Sequence, residues 1–133
     1  MNKSFETLGP WAKLAGRILI ALIFVVAGYG KIGGYAATQE YMAAMGVPGV
    51  LLPLVIVTEL GGGVLIALGL FTRYAAVALA GFTILSAILF HGGSADQVQQ
   101  IMFMKNLAIA GGFLFLAANG AGKISLDSGL GRP

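Results

Sequence analysis

Glu59 is the residue of this sequence best placed to do chemistry, because it lies in the middle of an apolar stretch. The stretch covers residues 52–71 and reads LPLVIVTELGGGVLIALGLF. A helix rises about 1.5 Å per residue and a bilayer's hydrocarbon core is about 30 Å thick, so this segment predicts a membrane span. Glu59 then lies near the midplane, where an ionisable group costs several kcal/mol unless it is paired, protonated or in a polar cavity. The other spans are expected to supply its partner.

Four further polar side chains occur in or beside the other apolar stretches, where they could meet Glu59. They are Lys31 after the first stretch, His91 after the third, and Lys105 and Asn106 inside the fourth. Lys105 is expected to pair with Glu59, because charges within a membrane need partners.

An imidazole exchanges protons near neutral pH, and lysine and asparagine donate hydrogen bonds to a carbonyl or oxyanion. The set predicts a pocket for a quinone or phenolic headgroup. Glu59 and His91 are its catalytic candidates. Its ligand-binding candidates are Lys31, Lys105 and Asn106.

Each of these residues also has a structural interpretation. The pair of Glu59 and Lys105 could serve only to fix the helix packing. Lys31 could extend its charge to the lipid headgroups, and His91 could cap the carbonyls at a helix end. Arg17, in the first turns of the first span, is interpreted as a topology anchor or as a ligand-binding residue of a polar site on the cytoplasmic side. One histidine and one buried glutamate are too few for a stable metal site, so no metal is expected.

Composition indicates an integral membrane protein. The 133 residues are 58% hydrophobic and 10% charged, with a mean hydropathy of +0.91, whereas soluble domains average about 25% charged residues. This length accommodates about four spans with short connections, hence a single domain over residues 1–133. The absence of cysteine excludes thiol chemistry. The net charge of +3 comes from dispersed basic residues rather than a basic run with aromatics, so nucleic acid is not an expected partner.

Four apolar stretches predict an all-α, four-helix membrane bundle. The spans are expected at about residues 12–30, 50–70, 75–90 and 101–118. Residues 1–10 are interpreted as a polar lead, and the glycine-rich tail 119–133 is expected to lie on the membrane surface. Residues 35–45 are amphipathic but too short to cross, which predicts a short interfacial helix after the first span.

The basic residues predict the orientation of the bundle. One side of the membrane would carry most of them, namely Lys3, Lys13, Arg17, Arg73, Lys123 and Arg132. Lysine and arginine favour the cytoplasmic side in short loops, so both termini are predicted to be cytoplasmic.

Five stretches of the sequence resemble the DoxX family of small bacterial membrane proteins. They are GRILIALIFVVAGYGKIGGY, MGVPG, TELGGGVLIALGLFTRYAA, FTILSAILFH and MFMKNLAIAGGFLFL, within a region from about Leu14 to about Leu126. The resemblance implies a four-helix protein of the bacterial inner membrane. It also implies a redox-linked role, since some members belong to systems that handle quinones, catechols, thiosulfate or oxidative stress, often beside a soluble redox partner. The polar residues of the matching stretches are Arg17, Lys31, Glu59, His91, Lys105 and Asn106.

Three functional hypotheses follow. The first is a membrane redox component, or oxidoreductase subunit, that binds a quinone-like molecule; any electron transfer would then need that quinone or a soluble redox partner. The second is a non-catalytic anchor or assembly partner for a soluble protein, which would use the tail and the turn at Arg73. The third is a small proton-coupled transporter in which Glu59 alternates access. Small residues at Gly61, Gly62, Gly63 and Ala67 would allow close helix approach and homo-oligomers, as a transporter would require.

Overall fold

The chain forms four long helices and two short ones over residues 3–132, the part that this computed structural model describes. The helices are α1 (Lys3–Gly33), α2 (Tyr35–Ala44), α3 (Gly49–Leu68), α4 (Thr72–His91), α5 (Gln97–Asn119) and α6 (Leu126–Gly129). The long helices alternate in direction. One end of the bundle, the His91 end, therefore joins the ends of α1 and α4 to the starts of α3 and α5. The opposite end, the tail end, carries α6.

The four long helices are long and apolar enough to cross a membrane, which confirms the predicted all-α, four-span bundle. Their outer faces carry large apolar side chains, among them Leu19, Val57 and Phe115, each more than two-thirds exposed in the isolated chain. These faces are suited to contact with lipid. The predicted short helix after the first span is also present, as α2, and its ten residues are too few to cross.

Helix α1 begins earlier than the predicted span. Residues from Lys3 onward are helical, so the described part of the expected polar lead belongs to α1, with Pro10 inside the helix. Proline removes one backbone hydrogen bond, here the one to the carbonyl of Glu6, an exposed residue near the helix end where water can replace it. The 31 residues of α1 span about 46 Å. Part of α1 therefore extends beyond the hydrocarbon core.

Glycines allow α1 and α3 to approach closely. A methyl group on Gly28 of α1 would lie 2.9 Å from the backbone nitrogen of Leu60, and one on Gly63 of α3 would lie 2.9 Å from Cγ2 of Val25. Neither position has room for a larger residue. The predicted close approach at the glycines of the second span is thus confirmed for Gly63.

The bundle is more open between α1 and α5. Helix α1 packs along α3, α3 along α4 and α4 along α5, but α1 and α5 lack extensive close backbone contact over the described residues. Buried Phe24 of α1 meets buried Phe113 of α5 edge to face, with ring centroids 5.4 Å apart. This aromatic contact separates an opening at the His91 end from another at the tail end.

The C-terminal tail, which the sequence predicts to lie on the membrane surface, packs across the tail end of the bundle. Asp127 of α6 is buried, and its carboxylate accepts hydrogen bonds from the backbone N–H groups of Phe71 (2.8 Å) and Thr72 (2.9 Å). These are free donors at the start of α4, so the tail supplies the N-terminal cap of a distant helix. Phe71 itself has a left-handed backbone with φ of 49°.

Candidate functional site

A cavity of about 280 Å³ lies within the bundle near its His91 end. Helices α1 to α5 all contribute to its wall. The polar residues that line it are Lys31, Thr38, Glu59, Thr83, Ser86, His91, Lys105 and Asn106. Five of the six residues that the sequence singled out therefore share one cavity, and the sixth, Arg17, does not line it.

Two π-helical turns position the two catalytic candidates. Glu59 lies in the π turn Val57–Gly61 of α3, and His91 ends the π turn Ala87–His91 of α4. A π turn has one more residue than an α turn, changes the direction of the side chains beyond it and occurs often at functional sites. The apolar periodicity of the sequence did not reveal these turns.

Glu59 pairs with Lys31 rather than with Lys105, which corrects the predicted pairing. Lys31 Nζ lies 2.7 Å from Glu59 Oε1, and the two side chains are 28% and 8% exposed. The reason is the close approach of α1 to α3. Gly28 packs against Leu60, and Lys31, three residues further along α1, shares its face of the helix and reaches Glu59.

Lys105 and Asn106 enter the cavity from the opposite side, on α5. Asn106 is 8% exposed, and its Nδ2 lies 3.4 Å from the carbonyl oxygen of Thr83. Among the described residues that line the cavity, Glu59 is the one carboxylate, and Lys31 neutralises it. Lys105 therefore adds a positive charge that no lining carboxylate balances.

His91 is held by Gln99, a residue that the sequence analysis did not select. His91 Nδ1 lies 2.5 Å from Gln99 Oε1. An amide oxygen can only accept, so the hydrogen of this bond lies on Nδ1, and Nε2 of a neutral imidazole keeps its lone pair. The sequence signal for Gln99 was the polar first turn of α5, Gln97 to Gln100, because it follows His91 closely and lies at the same end of the bundle.

Helix α2 covers part of the cavity and adds aromatic surface. Thr38, Tyr41 and Met42 of α2 line it, and the Tyr41 ring stacks on Phe90 of α4 with centroids 5.5 Å apart. The Nε2 of Gln39 donates to the carbonyl oxygen of Gly49, which ties α2 to the start of α3. The predicted interfacial helix is therefore part of the cavity wall.

Arg17 belongs to the tail end, about 21 Å along α1 from Lys31. It is 2% exposed, and its guanidinium donates to the carbonyl oxygens of Ile66, Ala67 and Ile124. The first two carbonyls lie at the end of α3, where helix carbonyls lack backbone donors, and the third is in the tail. Arg17 is thus buried and fastens the tail to the bundle, and it does not line the cavity at the His91 end.

Arg73, which the anchor hypothesis assigned to a soluble partner, also contacts the bundle. Its Nη1 donates to the carbonyl oxygens of Ala117 (3.0 Å) and Ala118 (2.8 Å), near the end of α5. Three charged groups at the tail end, Arg17, Arg73 and Asp127, therefore bind backbone groups at helix termini.

Comparison with known proteins gives matches over most of the chain. The sequence pattern of the DoxX family matches residues 12–92. Inner membrane protein YqjF of Escherichia coli (strain K12) is 56% identical over 125 residues, 94% of each chain. Inner membrane protein YphA of the same organism is 40% identical over 130 residues, 92% of this chain and 93% of YphA. A Bacillus subtilis (strain 168) protein named "Putative oxidoreductase CatD" is 36% identical over 89 residues, 67% of this chain and 63% of that protein. No solved structure matches.

Proposed function

The chain belongs to the DoxX family and is a multi-pass inner membrane protein, and we propose that it is the membrane component of a redox system that binds a quinone-like headgroup. One observation carries the proposal. Five helices bring a partly buried ion pair, an unbalanced lysine, an amide and an imidazole to the same cavity within the membrane-spanning bundle.

The size and lining of the cavity suit a single ring. A cavity of about 150 Å³ in an engineered protein binds benzene, so about 280 Å³ accommodates a ring with polar substituents. Phe24, Phe82 and Phe90 supply apolar walls. A few polar groups in a mostly apolar pocket are typical of small-molecule sites, where they fix the ligand's orientation.

The charge of the cavity favours a ligand that carries or develops negative charge on oxygen. The pair of Lys31 and Glu59 is neutral as a unit, so Lys105 leaves the cavity with one excess positive charge. Lys105 and Asn106 are hydrogen-bond donors on adjacent positions of α5 and would bind a carbonyl or phenolic oxygen. In a low-dielectric surrounding, such donors stabilise developing negative charge strongly.

His91 is the group that would exchange protons with the ligand. Because Gln99 engages Nδ1, Nε2 is the atom available to accept a proton from a hydroxyl group. Oxidation of a quinol releases two protons and two electrons. His91, at the end of the bundle, would accept these protons one at a time on Nε2 and release each to water, while Gln99 holds the ring through Nδ1. The electrons would go to a soluble redox partner.

An apolar tail on the ligand would leave the cavity through the opening between α1 and α5. Ile23 of α1 lines the cavity and is 41% exposed, and Ile109 of α5 lines it opposite. A ligand dissolved in the bilayer could therefore enter sideways. The relative named as an oxidoreductase supports the redox class of function, since it shares 36% identity over two-thirds of this chain.

The proposal is tested by native mass spectrometry of protein purified gently from its own membrane, followed by extraction and identification of bound small molecules. We expect one quinone-type molecule per chain in the wild type and its loss in Lys105→Gln, which removes the proposed donor and the excess charge. Lys3→Gln is the matched control, because Lys3 is an exposed lysine of α1 that does not line the cavity. A quinone retained equally by Lys105→Gln, or a protein that carries no small molecule but a soluble protein instead, would contradict the proposal.

A further inference from the structure

We infer that the tail end of the bundle holds a second binding site, for one anionic phospholipid, between α1 and α5. Two adjoining cavities form it, an apolar one of about 310 Å³ and a polar one of about 600 Å³. They share Lys13, Asn119 and Gly120, so they are parts of one groove. This tail-end groove is separate from the cavity at the His91 end and does not depend on the function proposed for that cavity.

The inner part of the tail-end groove is suited to a hydrocarbon chain. Gly16 and Ile20 of α1 face Gly112 and Phe115 of α5 where the two helices lack extensive close backbone contact. No atom lies within 4 Å of the position of a methyl group on Gly16, so open space exists there. From Lys13 to Ile20 the groove follows α1 for about 10 Å towards the membrane centre. The contact of Phe24 with Phe113 lies beyond it.

The outer part of the tail-end groove is polar and has an excess of positive charge. Lys13, Lys123 and Arg132 line it together with Glu6 and Asp127. The Asp127 carboxylate accepts from the backbone of Phe71 and Thr72 and faces the charge of Arg132. Three cations against two carboxylates leave this part with one excess positive charge. Basic pockets between transmembrane helices at a membrane surface bind anionic lipid headgroups.

The polar outer part and the apolar inner part of the groove follow one another as the headgroup and the tail of an amphiphile do. Lys13, Lys123 and Arg132 lie towards the helix ends and the apolar residues lie deeper, as the phosphate and the acyl chain of a phospholipid do. Arg17 also lines the deeper part, but its guanidinium is engaged by the carbonyl oxygens of Ile66, Ala67 and Ile124. Trp11, two residues before Lys13 on α1, is 61% exposed, and tryptophan favours the headgroup region of a bilayer. A free phosphate would use only the polar part, and a second copy of the chain would need no excess positive charge.

The test uses the full chain reconstituted in bilayer discs that contain phosphatidylcholine with a minor fraction of phosphatidylglycerol, and native mass spectrometry counts the lipids retained. We expect one phosphatidylglycerol, retained in preference to phosphatidylcholine. Lys13→Gln with Lys123→Gln should weaken its binding about 30-fold, roughly fivefold for each cation removed. Gly16→Leu should displace it by filling the groove.

Two matched controls separate loss of the lipid from the groove from the effect of adding any leucine to α1 or removing any lysine from it. Ala15→Leu adds the same side chain to an exposed position of α1 outside the groove, and Lys3→Gln removes a cation of α1 that does not line it. Both should leave the lipid bound. Equal retention of the two lipids, loss of the bound lipid in Ala15→Leu, full competition by inorganic phosphate, or a dimer that Gly16→Leu disrupts in lipid-free protein would overturn the inference.

Discussion

Among single side chains, Glu59 has a partner that sets the charge of the cavity. A carboxylate at this depth is stable as an anion only beside a cation. Lys31 takes that role because Gly28 brings α1 against α3 one turn earlier. The consequence is that Lys105 remains available to a ligand, whereas a pair of Glu59 with Lys105 would have neutralised the donor side of the cavity.

A double-mutant cycle tests this pairing. Lys31→Met leaves Glu59 buried without its cation and should lower the free energy of unfolding by about 2 kcal/mol, part of which Glu59→Gln restores, with a coupling energy of about 1 to 2 kcal/mol. Unfolding in detergent micelles measures each free energy. Lys105→Met is the control and should show little coupling with Glu59→Gln. Stronger coupling of Glu59 to Lys105 than to Lys31 would show that Glu59 pairs with Lys105, as the sequence predicted.

Among the helices, the π turns position the side chains of the cavity, and the helix termini depend on contacts with distant parts of the chain. The π turns of α3 and α4 fall on Glu59 and His91, and both face the cavity. The start of α4 depends on the tail, since Asp127 caps it from 55 residues away in sequence. An apparently disposable tail is therefore part of the structure of a membrane-spanning helix.

The cap makes the tail end sensitive to acid. Burial by itself raises the pKa of Asp127, but hydrogen bonds from Thr72 and Phe71 and the charge of Arg132 outweigh it, so this pKa lies below its ordinary value. A lowered folded-state pKa stabilises the fold above the unfolded value of about 3.9, and this contribution is lost as pH falls through the folded-state value.

Two substitutions measure this contribution. Asp127→Ala should cost about 1 kcal/mol at neutral pH, as the loss of an N-terminal cap does, and Asp127→Asn should flatten the dependence of stability on pH below about pH 4. Thermal unfolding across pH gives both effects. Asp96→Asn is the control, because Asp96 caps α5 from an exposed position. An unchanged acid profile in Asp127→Asn would mean that the cap contributes no linked stability.

For the molecule as a whole, the orientation in the membrane decides which aqueous phase the His91 end faces. The distribution of lysine and arginine predicts that the tail end is cytoplasmic, which would place His91 and Gln99 towards the outer side of the inner membrane. Protons released by a quinol would then leave on that side.

The lack of cysteine allows a clean test of the orientation. Ala95→Cys introduces a thiol at an exposed position of the loop before α5, and Ser128→Cys introduces one in α6. A membrane-impermeant maleimide applied to intact spheroplasts should label the first variant and not the second, and both should be labelled after lysis. Labelling of Ser128→Cys alone in intact spheroplasts would show that the tail end faces outward, opposite to the predicted orientation.

The amino-acid sequence was sufficient for the four spans and for most of the cavity residues. Span length follows from the run of apolar residues, and a polar residue within such a run is conspicuous because the bilayer excludes it unless it is paired. Lys31, Glu59, His91, Lys105 and Asn106 could therefore be chosen by type and position, and they line one cavity.

The partners of these residues depended on the tertiary structure. Whether Glu59 meets Lys31 or Lys105 depends on which helix faces approach, and that is set by glycine contacts between residues far apart in sequence. Gln99, Asp127 and the buried environment of Arg17 were missed for the same reason, because their sequence neighbours give no sign of a distant contact. Hydropathy reports how deeply a residue lies in the membrane, but packing determines what it touches.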